Sequence, residues 1–276
     1  MGARRLPPFR RLLIPEFSLL RIVLFLAFVY AAVLGWVWVI SDRMIFLPPA
    51  KSYRDSPEIL RLTTAGGERI AAVYLPNPGA TYTVLFSHGN GEDLGYVLPL
   101  LPVLRDLGFS VFAYDYRGYG LSEGRPSEQN VYADIDAAYD YLTHDLRVPP
   151  ERIILYGRSL GAGAAVDLAA RKFVGGLILE SPFVTAFRVM TRIPVFPVDK
   201  FRNVDKIGRV RCPVLVMHGE ADEIVPLWHG ERLFEKAPGP KTLVVIPGAH
   251  HNDFMWVAGA RYAAALRDFQ ALLRGR

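Results

Sequence analysis

The sequence predicts an α/β protein, a mostly parallel sheet with helices on both faces, led by a single apolar helix. Three observations predict it. From about residue 60 onward, short β-rich runs alternate with stretches of helical spacing, the pattern of β–α–β units. Glycine-bearing polar clusters recur directly after those runs, where the chemistry of parallel sheets is placed. Ahead of them, residues 22–40 form a run of 19 residues without a charge. As a helix it would span about 28 Å, close to the thickness of a bilayer's hydrocarbon core.

Composition narrows the class. The chain has 276 residues, of which 51% are apolar, enough for one large core. The net charge of +5 is concentrated at the start: residues 1–21 carry five arginines against one glutamate, which leaves about +1 for the rest. Nucleic acid is therefore not an expected partner. The single cysteine, Cys212, excludes an internal disulfide framework and a cysteine-built metal site.

Taken in order, residues 1–21 are a basic segment and residues 22–40 a single-pass membrane anchor. Trp36 and Trp38 stand near the end of the run, where interfacial aromatics are favoured, and no small-residue cleavage site follows. More positive charge precedes the run than follows it. That places the N-terminus in the cytoplasm and the following domain on the outer, periplasmic or lumenal side. Residues 41–59 read as a linker. Residues 69–75 and 81–86 are strands separated by the turn Pro76-Asn77-Pro78-Gly79. A polar loop over 87–94 leads to an expected helix over 97–107, in spite of Pro99 and Pro102. Residues 110–114 are a strand. Val131, Ile135, Tyr139 and Leu142 share one helical face. Strands follow at 152–156, 176–179, 213–217 and 241–246, and a helix over 256–273. Residues 181–212 are too few for a large cap and read as a short lid.

The strand at 152–156 runs into Gly157-Arg158-Ser159-Leu160-Gly161. A serine between two glycines, after a strand and before a helix, stands on a sharp turn with its hydroxyl exposed. A serine hydroxyl is a weak nucleophile at neutral pH, so it needs a base, an acid to orient that base, and donors for the oxyanion. Asp222 and His251 follow Ser159 in the chain order Ser–Asp–His, each in a loop after a strand. Alternatives stand beside them. Glu180 follows the neighbouring strand and is a rival acid, and Asp115 is a weaker one. His250 competes directly with His251, whereas His88, His218, His144 and His229 read as structural or surface residues.

Together with His88-Gly89-Asn90, Asp115-Tyr116-Arg117-Gly118-Tyr119-Gly120 and His251-Asn252-Asp253, these pieces identify a family resemblance. Over about residues 60–275 the chain resembles the α/β-hydrolase superfamily, in particular N-terminally anchored serine hydrolases whose relatives include protein depalmitoylases and lipid esterases. The resemblance implies a catalytic domain over 60–276 with a Ser159–His251–Asp222 triad. It implies an oxyanion hole made by the backbone N–H groups of Leu160 and Asn90. The Asn90 side chain is not needed for that role, so Asn90→Ala is expected to be mild. Relatives commonly carry glycine where this chain has His250, a difference that bears on the backbone of that loop.

The expected activity is hydrolysis of carboxylic esters or acyl thioesters, with lipids or acylated proteins as substrates and no cofactor or metal. Phe183, Phe187, Val189, Met190, Ile193, Val195, Phe196 and Phe201 could hold an acyl chain or merely pack the lid. A serine peptidase or amidase on the same fold is the first alternative, since only the pocket would differ. A non-catalytic, membrane-tethered binding module is the second. The glycines after the strand also suggest a dinucleotide site, but Val166 stands where a third glycine is required.

Overall fold

The computed structural model describes residues 19–191 and 199–275, which divide after Asp42 into two compact units. In the first, helix α1 (Leu19–Ile45, which runs on into the second unit) is long and apolar enough to cross a membrane, and its large apolar side chains are mostly exposed. Of the five arginines at the start of the chain, all but Arg21 lie outside the described residues.

The second unit runs β1 (Leu60–Thr63), β2 (Arg69–Leu75), β3 (Thr83–Ser87), α2 (Leu94–Val97), α3 (Leu101–Asp106), β4 (Ser110–Tyr114), α4 (Glu128–Asp140) and β5 (Ile153–Arg158). It continues with α5 (Leu160–Arg171), β6 (Gly176–Glu180), α6 (Ala186–Thr191), α7 (Asn203–Lys206), β7 (Val214–Gly219), α8 (Trp228–Lys236), β8 (Lys241–Ile246), α9 (Phe254–Ala258) and α10 (Ala260–Arg274). The strands form one eight-stranded sheet in the order β1-β2-β4-β3-β5-β6-β7-β8. The pairs β1–β2 and β2–β4 are antiparallel and all others are parallel.

Alternate side chains of each central strand enter opposite cores. Leu85, Leu155, Leu177 and Val216 face one cluster with α4 and α5 residues, while Phe86, Ile154, Ile178 and Leu215 face a second with α3 and α10 residues. Every residue of β3, β4 and β6 is buried, which is why these strands read as continuous apolar runs in the sequence. From β3 the chain steps outward to β4, then returns to place β5 on the other side of β3. The crevice above β3 and β5 is thus the switch point of the sheet, where ligands of such folds are held.

Four local expectations are corrected. The helix expected over 97–107 is two short helices, α2 and α3. Pro99 lies in the break, and Pro102 sits in the first turn of α3, where a missing N–H costs nothing. The C-terminal helix is divided at Gly259, whose φ is +49°. Strand β1 was not expected, because only Leu62 among its four residues is buried and it shows no period of its own. Residues 41–59 are not a free linker. Phe46 is 3% exposed, with its ring 5.9 Å from that of Phe201, and Ser52 and Tyr53 donate to Asp93 and Asp115.

Candidate active site

Ser159 lies between β5 and α5 with φ +49° and ψ −113°, a conformation that a non-glycine residue adopts only when its surroundings impose it. Its N–H donates to the Glu180 carbonyl at 2.8 Å. The flanking glycines are required by close packing. A Cβ on Gly157 would stand 2.6 Å from Ala162 Cα, and one on Gly161 would strike the Ser87 carbonyl and approach that of His88 to 2.8 Å. The elbow is thereby pressed onto the end of β3.

The His251 ring bridges the other two groups. Nε2 lies 3.0 Å from Ser159 Oγ, and Nδ1 lies 2.8 Å from Asp222 Oδ2. A carboxylate only accepts, so Nδ1 carries the proton and Nε2 is free to take the one on Ser159. Asp222 is aimed by its own loop: Oδ1 accepts from the N–H groups of Ile224 at 3.1 Å and Val225 at 2.7 Å. Burial pushes the Asp222 carboxyl up, but His218, His251 and the Val225 N–H outweigh it and hold the group well below the usual carboxylate range. The acid therefore stays ionised and can stabilise an imidazolium.

The competing residues are engaged elsewhere. Glu180 is buried with Arg158, whose Nε is 3.2 Å from Oε1, and its other oxygen accepts from Tyr156, which also bonds the Tyr262 hydroxyl at 2.9 Å. Asp115 accepts from Tyr53 and, at 2.7 Å, from the Leu94 N–H. His250 is an exposed partner of Glu223 at 2.9 Å, which raises its pKa. Its backbone is not left-handed; the positive φ of this loop, +71°, falls on Gly248. Histidine in place of glycine therefore imposes no strain. His218 matters more than its sequence suggested. Its Nε2 donates to the Val225 carbonyl at 2.7 Å and lies 3.5 Å from Asp222 Oδ2, backing the acid from behind.

The loop after β3, expected to supply an oxyanion donor, lies against Ser159. A Cβ on Gly89 would be 3.7 Å from Ser159 Cβ. Gly89 N–H donates to Glu92 at 2.8 Å, and Glu92 in turn pairs with Arg158 at 2.6 Å, tying the loop to the elbow. Among the described residues, the backbone N–H groups of Asn90 and Leu160 have no protein acceptor. Sequence reading missed Glu92 and Arg158 as elements of this clamp, since nothing in their local pattern signals a contact 66 residues apart.

In the segment expected as a lid, Phe183 and Phe201 are core residues with ring centroids 6.1 Å apart. Phe187 and Val189 are half-buried, Met190 is exposed, and Ile193, Val195 and Phe196 lie outside the described residues. No group of three or more potential metal ligands occurs among the described residues.

A serine elbow on the switch point of this sheet defines an α/β-hydrolase. The same fold recurs in an esterase of Pyrococcus furiosus, with a TM-score of 0.69 at 19% identity over 81% of this chain and 98% of that one. A ferulic acid-bound esterase, Est1E of Butyrivibrio proteoclasticus, gives a TM-score of 0.65 at 19% identity over 79% of this chain and all of that one. A family model described as serine aminopeptidase, S33, matches residues 79–203. Alpha/beta hydrolase domain-containing protein aho-3 of Caenorhabditis elegans is 42% identical over 83% of this chain and 77% of its own length. Human alpha/beta hydrolase domain-containing protein 17B is 39% identical over 79% of this chain and 77% of its own. The chain belongs to the alpha/beta hydrolase domain-containing protein 17 family.

Proposed function

We propose that this chain is a membrane-anchored serine hydrolase that cleaves carboxylic esters or acyl thioesters through an acyl-enzyme. The observation that carries the reading is the His251 imidazole, within hydrogen-bond reach of both Ser159 and Asp222. Ser159 Oγ attacks the acyl carbonyl carbon while Nε2 takes its proton. The negative oxygen of the tetrahedral intermediate is held by the Asn90 and Leu160 N–H groups and by the N-terminal end of α5. Collapse expels the alcohol or thiol, which leaves with the proton from Nε2. Water then enters by the same route: Nε2 takes its proton as its oxygen adds to the acyl carbon, collapse breaks the bond to Ser159 Oγ, which takes the proton back from Nε2, and the acid is released.

The finer reading is an acyl chain borne by a lipid or by an acylated protein. It is supported by the resemblance to anchored hydrolases that include depalmitoylases, and by α1, which would keep the enzyme at a bilayer where such chains are found. The excess of arginine before α1 supports an N-terminus in the cytoplasm and the catalytic unit on the opposite side, a placement that protease protection in sealed vesicles tests. The test of activity is a chain-length series of p-nitrophenyl esters and acyl thioesters, run on wild type and Ser159→Ala. Turnover and fluorophosphonate labelling are expected for wild type and absent for Ser159→Ala; equal turnover by both would overturn the reading. Cleavage of amides is a second reading, favoured by the match to the aminopeptidase model. Amino-acid p-nitroanilides in the same panel decide it.

A further inference from the structure

Asn90 presents its backbone to the active site and its side chain to a different part of the chain. Nδ2 donates to the Ile45 carbonyl at 2.6 Å, and Oδ1 accepts from the Leu47 N–H at 3.0 Å and from the Tyr119 hydroxyl at 2.7 Å. An amide oxygen has two lone pairs, and both are taken. The side chain is thus committed to holding position.

The segment it holds grips the loop a second time. Ser52 N–H donates to Asp93 at 2.9 Å and its hydroxyl donates to the same carboxylate, which also caps α2 through the Gly95 N–H at 3.0 Å. Gly95 leaves room for this approach, since a Cβ there would lie 3.0 Å from the Ser52 carbonyl carbon. Phe46, between the two residues bonded to Asn90, is buried against Phe201, so the segment cannot slide without opening the core. The residues just before Asn90 are held from within the domain: Tyr116 O–H donates to the His88 carbonyl at 2.7 Å, and Glu92 accepts the Gly89 N–H. At Asn90 itself, two of the three side-chain bonds go to the segment.

The geometry points to residues 45–53 as a strap that sets the oxyanion loop through the Asn90 side chain, making Asn90 a positioning residue for its own backbone N–H. The inference rests on the hydrolase reading above and on Asn90 N–H as an oxyanion donor. Such a donor contributes only if it meets the developing oxyanion at about 2.7–3.1 Å, and it contributes in the transition state rather than in substrate binding. Asn90→Ala retains the N–H and loses its fixing, so the mild effect expected from sequence gives way to a defect in kcat.

The test uses the full chain in detergent with p-nitrophenyl butyrate and compares Asn90→Ala, Leu47→Pro, Leu47→Ala and the double variant Asn90→Ala/Leu47→Pro. Leu47→Pro deletes the strap's N–H donor, whereas Leu47→Ala keeps it and trims a side chain that is 59% exposed. Asn90→Ala and Leu47→Pro are expected to lower kcat about 10–100-fold, short of the roughly 100–1000-fold of losing a donor outright, with KM within about twofold. Binding of a trifluoromethyl ketone, which adds to Ser159 and places an oxyanion in the hole, should weaken by the same factor. Leu47→Ala should match wild type, and the double variant should be no worse than the worse single one, because both cut one connection.

Unchanged kcat in folded Asn90→Ala, undiminished ketone affinity, or strictly multiplicative losses would overturn the strap. If Asn90→Ala does not fold, the comparison of Leu47→Pro with Leu47→Ala decides alone. A wild type without Ser159-dependent turnover overturns the hydrolase reading and the strap with it. An active wild type with unaffected variants removes only the strap.

Discussion

The half-buried guanidinium of Arg158, the residue before Ser159, pairs with the buried Glu180 carboxylate, Nε to Oε1 at 3.2 Å. This pair separates the two candidate acids. Glu180 is held by Arg158 and Tyr156, whereas Asp222 accepts the Nδ1 proton of His251. Asp222→Asn is expected to lower kcat about 10⁴-fold, because a neutral amide no longer enforces the tautomer that leaves Nε2 free. Glu180→Gln still offers an acceptor to Tyr156 and should keep kcat within about tenfold while lowering the melting temperature, since Arg158 would retain only Glu92 as a charged partner. Steady-state kinetics and thermal melts on the two variants check this. The reverse ranking of kcat losses would reassign the acid.

Gly161 tests how closely the elbow must fit. A methyl at this position would collide with the Ser87 carbonyl and come within 2.8 Å of that of His88, both main-chain atoms at the end of β3 that cannot rotate away. Gly161→Ala should therefore push α5 off the sheet. An expected loss of more than about 100-fold in kcat/KM accompanies the displacement of Ser159 from His251 and of Leu160 N–H from the oxyanion. Ala165, one helical turn further along α5, offers a control: Ala165→Gly removes a methyl from the same helix, and destabilisation of about 1 kcal/mol or more without that kinetic loss is expected.

The meeting of Ser159, His251 and Asp222 was legible because three signals agree: a serine between glycines at a strand end, an Asp–His order along the chain, and loops that all leave the same edge of a parallel sheet. The central strands were legible for a related reason. Burial on both faces turns them into short apolar runs, as at Ser110–Tyr114, which has the expected bounds; the half-buried edge strand Lys241–Ile246 has them too. What sequence could not resolve was tertiary. Glu180 remained a rival until its pairing with Arg158 and Tyr156 was seen. Leu47, Ser52 and Tyr53 carry no period, and their partners at Asn90, Asp93 and Asp115 are some 40 to 60 residues away. The 97–107 helix failed on a local rule, the two prolines, that apolar spacing had outvoted.

Asp134 anchors the loop that carries Tyr116 and Tyr119. Its Oδ2 accepts the Arg117 N–H at 2.8 Å and its Oδ1 the Arg117 Nε at 2.7 Å, with the carboxylate fully buried. Removing Asp134 takes away the buried counter-charge of Arg117 and leaves the guanidinium with the partly exposed Glu68 carboxylate at 3.2 Å. Asp134→Ala is expected to cost about 3–5 kcal/mol, a fall of roughly 10 °C in melting temperature for a domain of this size. Chemical denaturation checks it, and a change below about 1 kcal/mol would contradict the pairing.

His229 supplies a pH dependence with a definite sign. Its Nδ1 accepts the Val184 N–H at 3.2 Å, at the start of the lid, so the neutral ring is the form that fits. Burial, then the nearby His218 and Arg188, push its pKa down to about 3, against a smaller opposing pull from Asp222. In the unfolded chain the ring takes a proton near pH 6.5. Between these values the unfolded state binds more protons, so this contribution is present above about pH 6.5 and is lost as pH falls toward 3, by up to about 1.4 kcal/mol per unit. The Asp222 contribution, whose folded pKa is also depressed, is lost only as pH falls below about 4, the unfolded carboxylate value. Buried Asp134, raised to about 6 by burial, titrates in the same interval in both proteins, so it is the difference between wild type and His229→Asn that isolates the histidine. His229→Asn keeps an acceptor for Val184 N–H and removes the titration. The stability advantage of wild type over His229→Asn, measured by denaturant melts, should shrink steadily as pH is lowered from 7.5 to 4.5. Parallel curves, or an advantage that widens in acid, would show that the ring is not held neutral.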